Sequence, residues 1–166
     1  MQQKRYEFVP GDEIVIAPGR SLKRIRALVA IANLAVSPGD LGGYIEHEGN
    51  LTQSDQAWVS GNAKVFGNAK VFGNAKVSGD AEVFGNAKVS GQSDWLIVGP
   101  AKSSGRFTTA FRDEELDVRV VCGCFSGSVL EFSQQIEATH ANNTECLQQY
   151  RLFCQLIAFN FSVESN

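Results

Sequence analysis

Between Gly61 and Ser90 the chain repeats almost the same six residues five times. Gly61-Asn-Ala-Lys-Val-Phe is followed by Gly67-Asn-Ala-Lys-Val-Phe, Gly73-Asn-Ala-Lys-Val-Ser, Gly79-Asp-Ala-Glu-Val-Phe and Gly85-Asn-Ala-Lys-Val-Ser. Asp55-Gln-Ala-Trp-Val-Ser precedes them in register, and Gly91-Gln-Ser-Asp-Trp-Leu continues them loosely. A helix is excluded, because a glycine at every sixth position would cost about 1 kcal/mol each relative to alanine. On a strand, Ala and Val two positions apart point the same way while the intervening Lys or Glu points oppositely. Gly-Asn then supplies a corner, since both residues tolerate positive φ. Each hexad is one short strand and one corner, and units this short gain a core only by stacking in a β-solenoid.

Val65 to Ala69, Val71 to Ala75, Val77 to Ala81 and Val83 to Ala87 repeat an aliphatic residue followed four positions later by a small one. This resembles the left-handed β-helix hexapeptide-repeat family, in which three hexads make a triangular coil of 18 residues. The resemblance implies about three coils of left-handed β-helix over residues 43–96; turn, strand and helix signals in the flanks add an N-terminal β cap (1–42) and a C-terminal α+β cap (97–166), giving a mainly β fold. The whole would form a single compact domain. The family usually places Gly, Ala, Glu or Asp just after the aliphatic residue, whereas this chain has Phe66, Phe72, Ser78 and Phe84 there. An 18-residue offset puts Lys64 over Glu82 and Lys76 over Asp94, both favourable cross-strand pairs, and Lys70 over Lys88, an unfavourable one. It also stacks Phe66 on Phe84. Phe66, Phe72 and Phe84 follow inward valines, so they are expected outward or at corners. An apolar ladder there predicts a subunit interface, trimeric by resemblance to other left-handed β-helix proteins.

The flanks carry different signals. Pro10-Gly11-Asp12, Pro18-Gly19-Arg20 and Pro38-Gly39-Asp40 mark turns between short strands in residues 1–42. After the repeat, Arg106 to Phe111 and Val118 to Phe125 read as strands around the polar turn Asp113-Glu114-Glu115. Ser128-Val129-Leu130-Glu131 is a capping box that opens a helix to about His140. A second helix follows Asn142-Asn143, with Leu147, Tyr150, Cys154, Ile157, Ala158 and Phe161 as its apolar stripe.

Fifteen Lys+Arg against 18 Asp+Glu give a net charge of -3, which argues against general nucleic-acid coating. Residues Met1 to Glu7 lack the apolar stretch of a secretory signal, and the longest apolar run, Ala27 to Ala32, is far short of a membrane span. The expectation is a cytoplasmic protein with no membrane role. Cys122, Cys124, Cys146 and Cys154 would then be free thiols. Their spacing lacks the paired Cys-x-x-Cys of a zinc site, so packing thiols are expected, with no metal and no cofactor.

The most ligand-like segment is Gly105 to Arg112. Read as a strand, it puts Arg106, Thr108 and Arg112 on one face, two guanidinium groups flanking a hydroxyl and suited to phosphate or carboxylate. Pairing of these arginines with Asp113, Glu114 or Asp117 is the competing account. Cys122 and Cys124 would share a face and either pack or wall a pocket, with Gly123 allowing close approach. The histidines are His47 and His140; His140, at a helix end where the dipole favours a cation, joins the candidate ligand set.

Beyond the repeat, the order Pro-Gly-Asp-Leu-Gly-Gly-Tyr-Ile-Glu (38–46), Asn-Leu-Thr-Gln (50–53), Val-Gly-Pro (98–100), Thr108-Thr109, Cys-Gly-Cys-Phe-Ser-Gly (122–127), Glu131-Phe132 and Thr139-His140 is more specific. It resembles a group of small hexapeptide-repeat proteins of bacteriophages, prophages and gut bacteria, often labelled polymer-forming, with no agreed activity. The resemblance implies a phage or bacterial cytosolic origin; taken with the Arg106/Arg112 strand, it leads to the expectation of a non-enzymatic, homo-oligomeric phage accessory factor in the bacterial host cell. Its counter-defence role would be sequestering a small anionic or nucleotide signal, or blocking a host protein. The alternatives are a hexapeptide-type acyltransferase using a His base, and a structural virion or assembly component.

Overall fold

In a computed structural model, residues 3–164 are described, and the chain divides into two compact units, one up to Gln92 and one from Ser93. The first unit begins with an antiparallel hairpin, β1 (Tyr6–Ala17) and β2 (Arg20–Ala27), and β2 pairs antiparallel with β3 (Leu41–Ile45). Six strands of two residues each follow: β4 (Trp58–Val59), β5 (Lys64–Val65), β6 (Lys70–Val71), β7 (Lys76–Val77), β8 (Glu82–Val83) and β9 (Lys88–Val89). They pair in parallel at an offset of 18, β4 with β7, β5 with β8 and β6 with β9, and β3 continues the β5–β8 line.

The hexad chemistry is visible in this stacking. Val65, Val71, Val77, Val83 and Val89, with the alanines from Ala63 to Ala87, are at most 1% exposed. Lys64 Nζ donates to Glu82 Oε1 at 2.8 Å on the outside. Each corner glycine from Gly61 to Gly85 has φ between 64° and 69°, a region closed to most side chains. The asparagines of the corners do not share that conformation. They form a side-chain ladder instead, Asn62 donating to Asp80 at 3.1 Å and Asn68 to Asn86 at 3.2 Å.

The expected fold class is corrected. Among the described residues the molecule is mixed, with thirteen strands spread over four separate sheets and two helices, and it is not a regular left-handed β-helix of three coils with caps. The physical reason lies in the hexad itself. Each repeat keeps only two residues extended, and six such strands shared among three parallel lines leave two of the lines just two strands deep. The longest line is absorbed into the sheet of β1 and β2. The long antiparallel strands outside the repeat make most of the sheet.

The second unit is an antiparallel sheet in the order β10 (Trp95–Val98), β11 (Thr108–Asp113), β12 (Asp117–Cys122), β13 (Phe125–Ser128), followed by α1 (Val129–His140) and α2 (Thr144–Phe161). Ser128 and Glu131 form the expected capping box, and Asn143 caps α2 by accepting from the Cys146 amide. Ala110, Val118 and Val120 from the sheet meet Phe132, Ile136 and Ile157 from the helices in one buried cluster. Two strands read from the sequence are redrawn. Arg106 lies before β11, and the segment 118–125 is broken by a turn at Gly123-Cys124. Among the described residues no helix is long and apolar enough to cross a membrane.

Candidate functional site

The site lies in the second unit, where the β12–β13 hairpin faces α1. Cys122 pairs with Phe125, leaving Gly123 and Cys124 as a two-residue loop. Only Gly123 has positive φ, at 60°, the pattern of a type II′ turn. A Cβ at Gly123 would sit 2.9 Å from Arg106 Nη1, so the missing side chain is what lets the guanidinium lie on the turn. Arg106 is held there by its loop: its carbonyl accepts from the Ala101 amide at 2.8 Å and its amide donates to Ser104 Oγ at 3.3 Å.

α1 brings Phe132, Gln135, Ile136, Thr139 and His140 to the same place, the i, i+3, i+4, i+7, i+8 face of one helix. α2 adds Tyr150. Together with Arg106, Cys122 and Cys124 these residues enclose a pocket of about 170 Å³. The His140 ring stacks on Tyr150, centroids 5.1 Å apart and planes within 10°. The Tyr150 hydroxyl lies 3.3 Å from Ser104 Oγ and accepts from Cys122 Sγ at 3.9 Å. Burial pushes the Tyr150 phenol above its ordinary range, so it remains a neutral donor at physiological pH. The wall carries two groups capable of positive charge, Arg106 and His140, and no carboxylate.

Four of the residues singled out from the sequence therefore converge: Arg106, Cys122, Cys124 and His140. The two cysteines do not share a strand face; Cys122 is buried at the end of β12 and Cys124 is exposed in the turn. Thr108 and Arg112 stand apart. Thr108 is fully buried opposite Cys122, and its Oγ1 has no hydrogen-bond partner among the described residues. Arg112 donates to Asp117 at 2.7 Å and to the Phe161 carbonyl at 2.9 Å, with its guanidinium 5.2 Å over the Phe161 ring. It is a cation at the C-terminus of α2, the position a helix dipole favours. Of the turn acids, Asp117 thus takes Arg112, while buried Asp113 binds Arg119 at 3.0 Å. Burial raises the Asp113 carboxyl, but Arg119 and the amides of Glu115 and Leu116 outweigh it and leave the pKa lowered.

Sequence reasoning misses Tyr150, which falls in the apolar stripe of the second helix, and the α1 face other than His140. The signal for that face was present, since the capping box fixes where helical counting starts. Cys154 is buried packing, its thiol pushed up to about 11 by desolvation. Among the described residues no cluster of three or more His, Cys, Asp or Glu could hold a metal ion.

His47, in the first unit, is a structural cap. Its Nδ1 accepts from the Gly49 amide and its Nε2 meets the Gly67 carbonyl, both at 3.1 Å, so the proton sits on Nε2 and neither nitrogen is left for base catalysis. In the same unit Phe66 and Phe84 stack with centroids 4.8 Å apart and planes within 15°. Arg20, clamped by Glu46, lies 5.3 Å over the Phe66 ring. These two phenyls and Phe72 are half-buried, and a groove of about 350 Å³ runs along Phe66, Phe84, Asn68 and Asn86. No known protein family matches the chain, and no curated protein matches it.

Proposed function

We propose that this chain is a non-enzymatic binding protein that holds a small anion in the Arg106 pocket. One observation carries the reading. Six of the eight arginines are ion-paired, whereas Arg106 has no carboxylate partner among the described residues and opens onto a wall without acids. A guanidinium without an acidic partner, in a pocket that also carries Phe132, His140 and Tyr150, suits a planar carboxylate or a phosphate. His140 adds charge when protonated, and Tyr150 and Cys122 line the pocket. The pocket, about 170 Å³, is smaller than the roughly 300–1,000 Å³ of sites that swallow a drug-sized ligand. It takes an acid head group or a single ring, and any larger signal molecule would leave most of its body outside. The resemblance to phage and prophage proteins supplies the setting we favour, counter-defence by sequestering a small anionic signal in the bacterial cytoplasm.

A thermal-shift panel of small carboxylates, inorganic phosphate, mononucleotides and cyclic nucleotides tests this. At least one member is expected to raise Tm, since a ligand at 100 times its Kd stabilises by about 2.7 kcal/mol. Arg106→Gln should abolish that shift. Arg112→Gln should lower the ligand-free Tm by loosening α2 yet keep the shift. No rise from any anion at saturation, or a shift that survives Arg106→Gln, refutes the reading.

A further inference from the structure

α2 has two apolar faces, and only one is used in the core. Tyr150, Cys154, Ile157 and Phe161 are buried, but Leu152, Leu156 and Phe159 stand 58%, 46% and 85% exposed. Spaced i, i+4, i+7, these three form a second stripe along the helix. An 18-residue helix apolar on opposite sides is one that is covered on both.

We propose that this stripe is a homodimer contact in which α2 packs antiparallel on α2 of a second copy across a two-fold axis. Three observations select a second copy as the occupant. The first is shape. At the other end of the stripe from Phe159, Leu152 borders a depression of about 250 Å³ formed with Lys102, Glu145, Gln148 and Gln149. Phe159, the most exposed large apolar residue, lies two turns from Leu152, about 10 Å along the axis. A two-fold axis between them, near Leu156, sets each Phe159 into the mate's depression, so knob and hole are satisfied twice by one operation.

The second is charge. The flanking Gln148, Gln149, Gln155 and Asn160 are neutral, Glu145 is paired with Lys102, and Arg151 is paired with Glu137, so the helix meets its own copy without like-charge repulsion. The third is size. A stripe of three large side chains is smaller than the roughly 800 Å² per partner of a standard stable interface, which fits a weak self-association better than a tight hetero-complex. This contact is independent of the anion pocket and lies on a different element from Phe66 and Phe84.

Sedimentation equilibrium of the full chain over a concentration series tests it. The wild type should move from monomer to dimer as concentration rises through the micromolar range. Phe159→Lys alone and Leu152→Glu alone should each be monomeric at the top concentration, with Tm unchanged when measured at the dilution where the wild type is itself monomeric, because both side chains are exposed. Mixing the two variants should restore a heterodimer, in which one contact becomes Lys against Glu and the other remains Leu against Phe. A monomeric wild type throughout, a dimer that survives Phe159→Lys, a trimer, or variants that stay monomeric on mixing would each overturn the proposal.

Discussion

Glu46 shows how one side chain ties the first unit together. It takes both Arg20 Nε and Nη2, at 2.6 and 2.8 Å, and accepts the Gly67 amide at 2.7 Å. The Arg20 hydrogen bonds hold its carboxyl at about 2, against an ordinary 4.5. A depressed carboxyl contributes stability that is full above the unfolded value and is lost as pH falls through the folded one. Glu46→Gln should therefore cost stability at neutral pH, and the gap from wild type should close between about 4.5 and about 2. Urea titrations across that window measure it; a gap independent of pH would contradict the assignment. Asn50 works beside it. Fully buried, it accepts the Glu46 and His47 amides and donates to the Gly67 and Ala69 carbonyls, so all of its amide capacity is used. Ala75, also fully buried, tests the other side of the packing. Ala75→Leu should overfill the stack and destabilise by about 1–3 kcal/mol, read as a fall in Tm; an unchanged Tm would mean that the alanine column does not set the spacing.

At the scale of elements, what could be read in the sequence was whatever is local or periodic. The inward Ala and Val columns, the Lys64–Glu82 pair and the Phe66–Phe84 stack all follow from a six-residue repeat at an 18-residue offset. The start of α1 follows from Ser128 and Glu131. Long-range antiparallel pairing was not legible. Trp95–Val98 continues the hexad phase in sequence but pairs with Thr108–Phe111 across a nine-residue loop, and no local pattern announces that choice. The fold-class expectation failed for the same reason, because a strong repeat says nothing about how much sheet its neighbours build. In the site, Arg106, Cys122 and Cys124 were identified through a strand alternation that the structure does not keep, and His140 through its place at a helix end. Their separation from Arg112 was not, because it depends on β11 starting at Thr108 and on α2 ending where a guanidinium can reach the Phe161 carbonyl.

Across the whole molecule, charge is unevenly shared. The residues from Ser93 onward hold five Lys+Arg against nine Asp+Glu, a net charge of −4 within a chain of −3. A pocket walled by arginine and histidine is thus a local exception in an acidic unit, and added salt should weaken an anion's binding less than it would at a basic surface, since it also screens the surrounding repulsion. The central claim is that Arg106, alone among the second unit's arginines, is free to meet a ligand. The most direct measurement follows the arginine side-chain Nε–H resonances by NMR while the best anion from the thermal panel is titrated in. The account predicts a saturable shift of the Arg106 resonance, with Arg112, Arg119 and Arg151 unmoved in their ion pairs. An Arg106 resonance that stays still while the anion stabilises the protein would contradict it.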